Sequence, residues 1–185
     1  MGFQIKKAAQ VVAFFARERG GSIDIIDASK LVYLGDREFM DRFGLTILND
    51  VFYSMEQGPI CSNTYDLMKG KGPPEERKIW EHYVTPRQGN VLRSTKAFED
   101  EDLDELSDAE LEALYAIAER FAEFQPFELV RWVHETCKEW KNPGKTSTYL
   151  PFADVFKALC KENNKELERR LVGLRKLSFE VEKAK

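Results

Sequence analysis

The chain is poor in the residues that metal and thiol chemistry require. Among its 185 residues are two histidines and three cysteines. His134 and Cys137 form an H-x-x-C pair about one helical turn apart, with His82 and Cys61 elsewhere, but no C-x-x-C or second ligand pair completes a tetrahedral zinc set. No metal and no other cofactor is expected. An odd, scattered set of cysteines argues against a secreted disulfide framework and fits reduced thiols in the cytoplasm. No stretch approaches the roughly 18 apolar residues of a membrane span. The opening "MGFQIKKAAQVVAFF" lacks the apolar core and cleavage site of a secretory signal, and Lys6 stands where a myristoylation motif wants Ser or Thr. Positive charge is also short: the formal net charge is −4, which denies the chain a global attraction to nucleic acid and leaves room for a basic protein partner.

What is present is the composition of an ordinary folded protein, with 43% hydrophobic and 32% charged residues. The length fits one domain with an added helical piece, here residues 1–146 followed by a C-terminal helical extension over 147–185. Apolar residues at Ile5, Ala8, Ala9, Val12, Phe15 and Ala16 repeat at helical period and stop at Gly20-Gly21. A second helix is predicted from near Asp24 to a left-handed cap at Gly44, with Gly35 as a weak point unless something packs closely there. "TILNDVFYSM" reads as a hairpin about Asn49-Asp50, ended by Gly58-Pro59, and Ser62 as the cap of a short helix through Leu67. "RKIWEHYVTPRQGNVLRST" reads as a second hairpin with Trp80 and Tyr83 on a strand and Gln88-Gly89-Asn90 as its loop.

The acidic run Glu99 to Glu105 reads as a solvated connection, and Ser107 with Glu110 as a capping box opening a helix whose face is Leu111, Leu114, Tyr115, Ala118 and Phe121. Pro126 and Pro151 suit the first turns of two more helices, and a last helix runs from about Asn164 to Ala184. The fold class is therefore mainly α (α+β), a helical domain with one or two small β-hairpins.

Catalytic patterns are thin. "KGKGPPEE" carries glycines without P-loop spacing and reads as a flexible loop. Cys61, just ahead of a helix N-terminus, is the thiol whose pKa such a position would lower, so a thiol enzyme centred there is one alternative. Another is a nucleic-acid-binding regulator using Lys165, Arg169, Arg170, Arg175 and Lys176 of the last helix, although Glu166, Glu168 and Glu180 are interleaved with them. Trp80, Tyr83, Trp132 and Trp140 are expected in or beside the core, where large rings carry much of the buried area.

One segment is more specific. Lys30, Leu31, Tyr33, Asp36, Gly44, Ile47, Asp50, Gly58-Pro59 and Tyr65, with the later "LVRWVHETCKEW" from Leu129 to Trp140, resemble the Panacea domain of SocA-like antitoxins and phage-associated proteins. Met55 and Cys61 depart from the pattern, at positions where a small residue and a proline are common. The resemblance implies a cytoplasmic, non-enzymatic antitoxin of a toxin-antitoxin system that neutralises a cognate protein toxin by direct binding. Some relatives act as proteolytic adaptors that deliver a toxin to a AAA+ protease, a second route within the same class. On this basis the partner-binding residues are expected to be Tyr33, Asp36, Arg37, Tyr53, Gln57, Gly58, Pro59 and Tyr65.

Overall fold

The structure, a computed structural model, describes residues 2–183, and the side chains of Arg175 and of residues 177–183 are not described with them. Helix α1, Ile5–Glu18, is buried all round its middle, from Ala8 to Ala16, rather than along one face. It is the axle of the domain. Its one polar residue in that stretch, Gln10, donates to Asp104 Oδ1 at 2.7 Å and accepts from the Glu105 N–H at 2.9 Å. Gly20 and Gly21, both at positive φ, close the helix, with the Gly21 N–H reaching the Ala16 carbonyl at 2.8 Å.

Strand β1, Ser22–Asp24, leads into α2, Ile25–Phe43. Asp24 accepts from the Ile26 N–H at 2.7 Å as N-cap, and Gly44 at φ 68° ends the helix. Gly35 is where a later helix, α5 (Asp108–Arg120), approaches: a Cβ there would lie 2.8 Å from Leu114 Cδ2. The cost of mid-helix glycine is offset by that contact.

Strand β2, Phe52–Met55, and β3, Gly58–Cys61, form a hairpin that is extended by β5, Thr148–Leu150, in the order β3-β2-β5. The hairpin does not turn at Asn49-Asp50. Met55 pairs with Gly58, so Glu56-Gln57 is the turn and Gly58-Pro59 opens β3 instead of ending a strand. Proline is admissible because β3 is an edge strand. Helix α3, Ser62–Met68, follows directly.

The second hairpin is also different. Pro74–Glu81 is helix α4, with Pro74 in its first turn and Glu75 and Glu76 beside it, so "PPEE" is a helix start and Trp80 is helical. Strand β4, Val91–Arg93, pairs with β1 far back in the chain. Only single bridges at Val84–Ser94 and Gln88–Val91 remain of the predicted ladder.

Helix α5, Asp108–Arg120, opens on the Ser107–Glu110 capping box, and α6, Pro126–Thr136, on Pro126. Pro151 is the N-cap of α7, Phe152–Ala158, one residue outside the predicted first turn. Helix α8 spans Asn164–Lys183, and the predicted end at Ala184 lies outside the described residues. Phe152, Val155, Phe156 and Leu171 join the same buried cluster as residues of α1 and α2.

The acidic run is largely solvated, as expected, and is also held down. Asp100 receives Arg17 Nη1 at 2.8 Å and the Tyr115 hydroxyl at 2.9 Å, Asp102 pairs with Lys96, and Asp104 with Lys6. These bonds strap residues 99–105 across α1 and α5. Trp80 and Tyr83 are core residues, and Trp132 and Trp140 pack against its edge.

Candidate functional site

The hairpin tip is gripped from two sides. From α2, Lys30 Nζ donates to the Pro59 carbonyl at 3.1 Å. From the segment after α6, Trp140 Nε1 donates to the Met55 carbonyl at 2.8 Å. Gly58 sits between them at φ 109°, a conformation L side chains rarely adopt, and a Cβ there would lie 3.1 Å from Val133 Cγ1 and 3.4 Å from Lys30 Cε. His134 stacks flat on Trp140, ring centroids 3.9 Å apart. Glu56 and Gln57 are left exposed on a turn whose two flanking carbonyls are both held.

Beneath the hairpin two buried carboxylates organise backbone. Asp36 accepts from the N–H groups of Ile47 and Leu48, at 2.5 and 3.1 Å, and the Cys61 thiol lies 3.7 Å from its other oxygen. Asp50 accepts from the N–H groups of Val51, Asn63 and Thr64 and from the Thr64 hydroxyl, all within 2.9 Å. Asp50 thus caps α3 from a distance. Ser62, expected as the cap, is inside the helix. Burial pushes the Asp50 carboxyl up, and its four donors counter that.

A third carboxylate, Glu139, has a fully buried side chain. It takes the Tyr33 hydroxyl at 2.6 Å and Arg37 Nε at 2.7 Å, tying α2 to the end of α6. Burial, and then the nearby Glu139 charge, push the Tyr33 hydroxyl well above its usual range. Burial disfavours the Arg37 charge, but Glu139 more than offsets it and holds the guanidinium protonated.

Lys30 is different. It is 2% exposed, and among the described residues no carboxylate stands within salt-bridge distance of it. Burial lowers its pKa to about 7, against a smaller opposing pull from Cys61 and Cys137. It borders a cavity of about 180 Å³ between α2, the hairpin and α3, lined by Ile26, Ser29, Met55, Ile60 and Tyr65 and by the exposed turn residues Glu56 and Gln57. His134, lowered by burial and then by Lys30, has a buried Nε2 without a hydrogen-bond partner.

The residues expected to meet a partner are therefore split. Tyr33 and Asp36 are closed from solvent and committed to internal bonds. Gly58 and Pro59 are buried within the hairpin, and Arg37 is mostly covered. Gln57 is exposed, Tyr53 and Tyr65 are half-buried, and Tyr53 meets the exposed Tyr149 edge-on. Of the eight, Gln57 is exposed, Arg37, Tyr53 and Tyr65 are partly exposed, and the other four are buried.

Cys61 does not have the lowered pKa expected of a helix-start thiol. It is 2% exposed, and burial together with Asp36 pushes it well above the usual range. Among the described residues no group of three His, Cys, Asp or Glu is arranged to hold a metal ion. Lys165, Arg169, Arg170 and Lys176 are exposed beside the equally exposed Glu166, whereas the side chains of Arg175 and Glu180 lie outside the described residues.

Sequence patterns did not single out Glu139, His134 or Lys30 for these roles. Lys30 and His134 stood only as letters of a motif, and Glu139 had no local signal, because its partners lie more than 100 residues away.

No helix among the described residues is long and apolar enough to cross a membrane. No curated protein and no solved structure matches the chain. The family described as antitoxin SocA-like, Panacea domain, matches residues 29–141. That segment is more than half of the chain; it begins one residue before Lys30, ends one residue after Trp140, and includes the hairpin and both of the residues whose side chains grip it. The chain belongs to the SocA-like Panacea-domain family.

Proposed function

We propose that the chain is an antitoxin that neutralises a cognate protein toxin by binding it directly, with the hairpin tip and its surroundings as the contact surface. Family membership suggests the antitoxin role. The observation that carries the location is the held tip: Glu56 and Gln57 are exposed, yet the Met55 and Pro59 carbonyls on either side are fixed by Trp140 and Lys30. A turn anchored in this way loses little conformational freedom on association, which favours binding. Tyr53, Tyr149 and Tyr65 supply half-buried or exposed aromatic area nearby, the residue type that dominates interface energetics.

The test is co-expression with the product of the adjacent gene. Growth rescue and a co-purifying complex are expected, and a Gln57→Arg, Tyr53→Ala double variant that remains folded should lose both. Rescue without any complex, accompanied by a shortened toxin half-life that depends on a AAA+ protease, would replace occlusion with delivery. If the wild-type chain gave neither rescue nor complex, the antitoxin reading would fail.

A further inference from the structure

Lys30 is enclosed by protein, and among the described residues it has one hydrogen-bond acceptor, the Pro59 carbonyl, and no carboxylate within salt-bridge distance. The other buried charges nearby are matched: Glu139 has Arg37 and Tyr33, Asp50 has four donors, and Asp27 has Arg19. An unpaired buried ammonium is costly, and it either sheds its proton or takes an anion. The space for an anion is already there. The cavity beside Lys30 is lined by Ile26, Ser29, Met55, Ile60 and Tyr65, with Glu56 and Gln57 of the hairpin turn, and the Ser29 hydroxyl is spent on the Ile26 carbonyl. Four apolar side chains beside one amine suit a short hydrocarbon stem ending in a carboxylate.

We propose that this cavity receives one acidic side chain of the protein partner and that Lys30 is the counter-ion of its carboxylate. The proposal rests on the antitoxin reading for the identity of the partner, and on the cavity alone for the chemistry of the ligand. Pairing there would be strong because Lys30 is 2% exposed, and charges meet more strongly in a buried site than in water. It would also be tied to proton uptake. Burial pushes the Lys30 ammonium down to about pH 7, and a bound carboxylate would favour its charged form. Affinity is then highest below that pH and falls by up to tenfold for each unit above it. The other titratable groups around Lys30 are the Cys61 and Cys137 thiols, both pushed up by burial, His134, pushed down, Tyr65, and Glu56 of the turn. The thiols stay neutral over this range, so the proton taken up belongs to the amine.

Butyrate is the probe, with butyramide as its uncharged counterpart, followed by NMR of the Lys30 side-chain carbon and nitrogen. Butyrate should raise the Lys30 midpoint by one unit or more and saturate, and butyramide should not. A midpoint that stays put in butyrate, or moves equally in butyramide, overturns the proposal. Glu56→Gln tests the nearest internal rival: if it lowers the Lys30 midpoint of the free protein, Glu56 is already the counter-ion and the proposal falls. With the toxin in hand, Lys30→Met should weaken the complex at least tenfold while its circular dichroism and melting remain those of a folded chain. An unchanged complex would reject the pocket and leave the antitoxin reading standing. Failure of the wild type to bind any toxin would reject that reading, while the butyrate titration would still judge the cavity.

Discussion

Asp36 and Lys30 are buried on the same helix less than two turns apart, one facing the loop beneath the hairpin and the other the cavity at its tip. The lower region is electrostatically complete. Asp36 and Asp50 collect backbone N–H groups that no helix or sheet would otherwise satisfy, and so fix the path of residues 45–51 and the start of α3. The upper region is incomplete, because its amine has one carbonyl and its imidazole a buried nitrogen with no partner. Both regions contain buried polar groups, but among the described residues the lower carboxylates are met by several donors, whereas Lys30 has one carbonyl and borders a cavity. Burial of a charge is therefore poor evidence of a binding role; unmet hydrogen-bonding and charge demand beside a cavity is better evidence.

The comparison breaks most easily in the lower region. Asp36→Ala or Asp50→Ala, each stranding two or more buried N–H donors, should cost about 3 to 5 kcal/mol of stability in urea unfolding, with lost amide-exchange protection at residues 47–48 or 63–64 respectively. A loss below about 1 kcal/mol would show that the carboxylates are not the organisers. At the boundary between the regions, Gly58→Ala should cost about 1 to 3 kcal/mol through its positive φ and the crowding against Val133. Its melting curve, compared with that of Gly89→Ala, where φ is also positive but space is open, separates strain from crowding.

Lys30→Met should change stability by about 1 kcal/mol or less at pH 7, since it trades a hydrogen bond for relief from a buried, unpaired amine. Its signature is in the pH dependence. Folded Lys30 loses its proton near pH 7, whereas an unfolded lysine keeps it to about 10.4. Between those values the unfolded chain binds more protons, so the wild type gains stability as pH rises, by up to about 1.4 kcal/mol per unit, relative to Lys30→Met. Parallel curves for the two proteins from pH 7 to 9.5 would contradict the buried, unpaired amine. The smallest effect belongs to the exposed Glu38–Arg42 pair farther along α2, where Arg42→Ala should alter stability by less than about 0.5 kcal/mol.

Much of α2 could be read locally. Asp24 and Gly44 carry the chemistry of a start and a stop, and both hold those posts. The errors fell where local preference was overruled. Trp80 and Tyr83 favour strands in isolation, yet Pro74, Glu75 and Glu76 start a helix ahead of Trp80 and the core takes both rings. Asn49-Asp50 suits a hairpin turn by residue type, whereas Asp50 is spent on capping α3 and Glu56-Gln57 turns without a turn-forming pair, with Gly58 supplying the positive φ just after it. Of the candidate site, Gly58-Pro59 stood out in the sequence as a fixed corner. That the corner is a clasped hairpin tip did not, since Trp140 is 85 residues from the carbonyl it holds.

By itself the sequence determined the helix-rich class, the caps of several helices, the scarcity of metal and thiol chemistry, and the family pattern from Lys30 to Trp140. Those depend on nearest neighbours, periodicity and composition. Tertiary structure alone decided which charges are inside and which of them are matched. Tyr33 and Arg37 meet Glu139 across more than 100 residues, whereas Lys30 meets a carbonyl and a cavity. The physical reason is that the cost of a buried charge depends on whatever the fold brings within a few ångströms of it, and residue order along the chain does not encode that distance.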